Sequence, residues 1–197
     1  MLIKSITSLS LIALALSASL SLHAKELTTT KNTAQLEFFD SLTSLCGERY
    51  EGAMTFPAEG LDSFTGKRLV ADVASCSKTE IRIPFHAGED KSRTWIVSKT
   101  NQGLQLKHDH RHEDGTPDDV NMYGGLATNS GSKFSQSFAA DTHTQTIIPA
   151  ASTNVWTMTL NSDDNSFTYH LTRHNKPRFT AKLFAASTTS KDAVHDN

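Results

Sequence analysis

The sequence predicts an all-β fold: an antiparallel barrel of about ten strands, with a short helix on its N-terminal side. Three observations carry this. After Gly47, short stretches alternate apolar and polar residues with period two. The links between them are brief and built from Gly, Asn, Asp, Ser and Pro, as hairpin turns require. A sheet of so many half-buried strands has open edges unless it closes on itself. A two-sheet sandwich is the alternative arrangement of the same strands.

Residues 1–24 read as a signal peptide. Lys4 is their only formal charge, Leu11 to Leu16 form a short apolar centre, and small residues follow. Cleavage is expected after Ala24, ahead of the charged pair Lys25 and Glu26. The apolar centre is too short for a permanent membrane span, so the mature protein is expected to be soluble and secreted or periplasmic. Residues 25–184 form one domain, and the small, polar tail 185–197 is expected to be disordered. The formal net charge is −2, and losing Lys4 makes it one unit more negative. No basic stripe with interleaved aromatics exists, so nucleic acid is excluded as a partner. A monomer is expected.

Leu36, Phe39, Leu42 and Leu45 recur every three residues and predict a helix over 33–45, with Asn32 and Gln35 as a capping pair. Strands are then expected at 48–57, 68–76, 79–86, 92–99, 104–112, 120–125, 132–140, 144–149, 153–160, 166–174 and 178–184. In an antiparallel meander their ends alternate between two rims. Counting from His86 at the upper rim puts the loops 58–67, 87–91, 113–119, 141–143 and 161–165 there as well, and His174 at the lower. Cys46 and Cys76 are the only cysteines. In an oxidising compartment they pair, and the strand count brings both to the lower rim beside the helix. Such a link stabilises by about 3–4 kcal/mol on a chain-entropy model.

The segment Leu104 to Glu113 (LQLKHDHRHE) holds the most suggestive chemistry. In a strand, Leu104, Leu106, His108, His110 and His112 share one face, with Lys107, Asp109, Arg111 and Glu113 on the other. Three readings follow. The imidazoles line a ligand site at the barrel mouth, with Arg93 and Trp95 nearby. Alternatively, His108 and His110 bind Zn²⁺ or another divalent transition metal, helped by His86. Strand neighbours two apart are about 6.6 Å from each other and can share an ion, whereas residues four apart, at about 13 Å, cannot. His86 falls out of phase with Ile81, Ile83 and Phe85 and needs a bulge near Pro84 to turn inward; His143, His170, Glu89 and Glu113 are other third ligands. In the plainest reading the histidines are neutral and hydrogen-bonded, and the charged face forms cross-strand ion pairs.

No phosphate loop, dinucleotide fingerprint or nucleophile elbow is present. The leading function is therefore a small-ligand or metal-binding protein rather than an enzyme. A metal-dependent enzyme with an open water position on Zn²⁺, or a structural protein of the cell envelope, are the alternatives.

The runs LCGERYEG (45–52), IRIPFHAGED (81–90), SRTW (92–95), LKHDHRHEDG (106–115), YGG (123–125) and NVW (154–156) resemble a family of uncharacterised secreted bacterial proteins. The likeness covers roughly residues 36–184. It implies export and supplies no catalytic residue. The Gly47-x-x-Tyr50-Glu51-Gly52 strand is also similar to the first strand of lipocalin-like barrels, which implies a fold and nothing about ligands.

Overall fold

The computed structural model describes residues 33–56 and 64–186. The expected signal peptide, the Asn32 cap and most of the C-terminal tail lie outside them. Helix α1 (33–43) precedes eleven strands: β1 (Arg49–Phe56), β2 (Leu69–Asp72), β3 (Ser75–Cys76), β4 (Glu80–Ala87), β5 (Asp90–Thr100), β6 (Gly103–His110), β7 (Tyr123–Ser132), β8 (Ser135–Ala140), β9 (Val155–Asn161), β10 (Ser166–Arg173) and β11 (Lys176–Ala185). Helix α2 (Thr142–Ile147) and a 3₁₀ turn (Pro149–Ala151) lie between β8 and β9.

Consecutive strands from β3 to β11 pair antiparallel, β11 returns to β1, and β1 pairs with β2. β2 and β3 both pair with β4, as two halves of one interrupted strand, and the β2–β4 pairing closes the ring. The result is a closed antiparallel barrel of ten strands.

The alternation read from the sequence sets the inner face. Ile81, Ile83 and Phe85, Trp156, Met158 and Leu160, Phe167, Tyr169 and Leu171, and Phe179, Ala181 and Leu183 all belong to one core or pack against it. Gly52 and Gly125 let neighbouring backbones close up. A Cβ on Gly125 would lie 1.6 Å from the Ala139 carbonyl oxygen, and one on Gly52 2.1 Å from that of Lys182.

α1 plugs the lower end. Phe38, Phe39 and Leu42 are fully buried there, while Leu36 is exposed, so the buried stripe is turned by one position from the expected one. Gln35 anchors the helix by accepting the Leu104 N–H at 3.0 Å. The Cys46–Cys76 disulfide forms at the same end, with Cα atoms 6.2 Å apart.

Three expectations are corrected. Residues 144–149 are not a strand: Asp141 caps α2 by accepting the Thr144 N–H at 2.9 Å. Removing that strand reverses the direction of everything after it. The loop 162–165 therefore belongs to the lower rim, and the His174–Asn175 turn to the upper. β6 ends at His110, because the Asn121 side chain takes the His110 N–H at 2.8 Å. β7 consequently starts at Tyr123 and runs to Ser132, in place of the short strand expected at 120–125.

Candidate functional site

On β6, Leu104, Leu106, His108 and His110 point inward as their phase requires. His108 stands opposite Trp95 on β5 and Tyr123 on β7, and His110 stands opposite Arg93. His108 is buried, and the Tyr123 ring stacks on it at 4.5 Å between centroids. Its Nδ1 lies 3.0 Å from the Tyr123 carbonyl oxygen, which can only accept, so Nδ1 carries the proton. Nε2 is then left to accept from the Tyr169 hydroxyl at 2.5 Å.

Burial pulls the His108 pKa down to about 3; the Tyr123 carbonyl works against this, and His110 and Lys107 add to it. Burial likewise drives the Tyr169 phenol well above its ordinary value and that of Tyr123 up to about 12. At neutral pH the trio is an uncharged, orientationally fixed wall. The Tyr123 hydroxyl extends the chain to His110 Nε2, 2.9 Å away. The His110 pKa is also lowered, by burial first and then by the Arg93 charge.

This wall is one side of a cavity of about 190 Å³ in the upper half of the barrel. Trp95 stacks between Phe85 and Tyr169, with ring centroids 4.4 and 4.2 Å away. Trp156, Leu171 and Phe179 line it further, and Ile148 and Ala151 reach it from the α2 segment. That segment is fastened by buried Thr144: the Gly124 N–H donates to its hydroxyl and the hydroxyl donates to the Gly124 carbonyl, both at 2.7 Å. Lys107 joins Asp141 at 2.5 Å. Burial opposes the Asp141 charge, but Lys107 and the Thr144 N–H outweigh it and keep the carboxyl below its usual range.

Two arginines bring charge to this apolar chamber. Arg93, two residues above Trp95, pairs with Asp90 at 2.5 Å and lies 5.1 Å over the Phe64 ring. Burial raises the Asp90 pKa, yet Ser92 and Arg93 together bring it down to about 2. Arg173 ends the inward series Phe167, Tyr169, Leu171, and its Nε donates to Asn154 Oδ1 at 2.8 Å. Asn154 is itself buried, between β9 and the 3₁₀ turn.

Of the residues the sequence singled out, Arg93, Trp95 and His108 line this cavity, with His110 bonded to its wall. His112 does not join them. It is exposed beyond the end of β6 and borders an outer groove with Glu89 and Glu113. His86 keeps the outward phase of β4, opposite Val70, so it lies across the barrel wall from His108. His143 is exposed on α2, and His170 on the outer face bonds Thr180 Oγ1. Among the described residues no three His, Cys, Asp or Glu side chains are grouped as a metal site. The outer charged face does form ion pairs: Asp109 with Arg111 at 3.1 Å and with Arg82 at 3.8 Å.

Tyr123, Tyr169 and Arg173 complete the site without having been assigned to it from sequence. Arg173 did carry a signal, since it continues an apolar inward phase by one more position. A scan against protein-family models, a search of curated proteins and a search of solved structures each found no match. The resemblance noted for the histidine segment therefore rests on those quoted residues alone.

Proposed function

We propose that this protein is an exported binding protein whose aromatic upper cavity holds a small organic molecule. The observation that carries the reading is a preformed apolar chamber of about 190 Å³, walled by Trp95, Trp156 and Tyr169 and bordered by a few fixed polar groups. Ligand sites in small barrels have this character: mostly apolar, with sparse orienting donors and acceptors. Taking about 30 Å³ per water, the space equals some six waters, enough for one or two fused rings.

An organic molecule fits better than a metal ion. Both His108 ring nitrogens are engaged by Tyr123 and Tyr169, and His86 faces the other way. Export is supported by the Cys46–Cys76 disulfide, which belongs to an oxidising compartment, and by the signal-like residues 1–24. No helix among the described residues is long and apolar enough to cross a membrane.

The test is an NMR titration of the labelled mature protein with 2-naphthamide, a neutral two-ring probe. Shifts should concentrate on Trp95, Trp156, Tyr169 and Ala151 and vanish in Leu171→Trp, which fills the chamber. Shifts scattered over the outer surface, or unaffected by that substitution, count against the reading.

A further inference from the structure

Resting on the cavity reading above, we propose that the bound molecule carries a carboxylate, held at the cavity rim by Arg93 and Arg173. Among the described residues the lining contains these two cations and neither an aspartate nor a glutamate. Both enter from strand positions in phase with the core, so each guanidinium has been brought to the inner side of the wall where burial costs solvation. Each also keeps donors in reserve. A guanidinium has five N–H groups. Arg93 spends Nη1 on Asp90, and Arg173 spends Nε on the neutral amide of Asn154.

Arg173 is the more telling of the two. Among the described residues no carboxylate lies within ion-pair distance of it. Its nearest charged influence is a like charge, Arg178, and burial together with Arg178 pulls its pKa below the ordinary value. The fold itself uses only the Nε of Arg173, on the buried Asn154 amide oxygen, and leaves both terminal guanidinium nitrogens and the positive charge without a partner among the described residues. A planar carboxylate supplies the missing counter-charge and accepts two parallel N–H bonds from one guanidinium. Its apolar body would then lie against Trp95 and Trp156.

The experiment compares two probes of equal shape, 2-naphthoate and 2-naphthamide, by quenching of tryptophan fluorescence at pH 7.5. The carboxylate should bind at least about tenfold more tightly, in line with charge-assisted hydrogen bonds. Arg173→Met should bring the carboxylate-to-amide affinity ratio down to about one, and Arg93→Met should reduce it. Arg178→Met, outside the lining, should preserve it, which also shows that removing a neighbouring charge is not sufficient. Equal affinity for the two probes in the native protein overturns the carboxylate proposal and leaves the cavity reading standing. Saturable binding of neither probe overturns the cavity reading and the proposal with it. A preference that survives in Arg173→Met refutes the role given to that residue.

Discussion

Acidification should unfold this protein through His108, and the size of the effect follows from its surroundings. In the unfolded chain the imidazole takes a proton near its ordinary value of 6.5; in the fold it resists until about 3. Between those values the unfolded state binds more protons, so stability falls as the pH drops through this window. At 1.36 kcal/mol per unit, the whole gap amounts to about 4–5 kcal/mol. Roughly 3 kcal/mol of it is lost between pH 7 and pH 4. The half-buried carboxylates add little over that interval: Asp72, Asp90 and Asp141 have values lowered from an ordinary 3.8, so their contribution is lost below it. The perturbation is His108→Gln, which keeps a donor and an acceptor but cannot take up a proton. The assay is urea unfolding of both proteins at pH 7, 6, 5 and 4, followed by tryptophan fluorescence. At pH 7 the variant should be less stable by about 1–3 kcal/mol, from imperfect bonding to Tyr123 and Tyr169. Its loss of stability down to pH 4 should be shallower by about 3 kcal/mol, with His110 accounting for part of what remains. Parallel pH curves for the two proteins would refute the argument.

Three further outcomes are expected. Replacing Cys46 and Cys76 together by Ser should cost about 3–4 kcal/mol in chemical unfolding, since the bridge closes a loop of sequence separation 30. Thr144→Val should cost about 1–3 kcal/mol in the same assay, because it strands the buried Gly124 N–H while the Gly124 carbonyl keeps the Asp141 N–H at 2.9 Å; hydrogen exchange should quicken first at Gly124. Phe39→Ala should cost about 3–5 kcal/mol by opening the plugged lower end, while leaving probe affinity at the upper cavity unchanged in calorimetric titration.

The barrel was legible because period-two alternation survives in nearly every strand, and the disulfide because the sequence offers two cysteines, which have only each other. The segment after β8 was not. Thr144, Ile147 and Ile148 imitate a strand, and what decides for a helix is Asp141 capping Thr144, whose hydroxyl is committed to Gly124. That one miscounted strand carried a second error with it. It placed the far end of β10 at the lower rim, and so hid that Arg173 and Arg93 line one cavity. The inward turn of His108 and His110 was readable, but the exit of His112 was not, because it depends on the Asn121 side chain replacing a neighbouring strand at His110. The neutrality of His108 could not be read from spacing either, since it arises from burial in a core completed by distant strands, Tyr169 lying sixty-one residues away in sequence.

The most direct measurement is a calorimetric titration of the mature, untagged protein with 2-naphthamide, run beside Leu171→Trp. The account predicts saturable binding at one molecule per chain, with a negative heat-capacity change from burying apolar surface, and no heat in the filled variant. Absence of saturable binding in the native protein, or equal binding by the filled variant, would contradict the claim that the aromatic chamber is a ligand site.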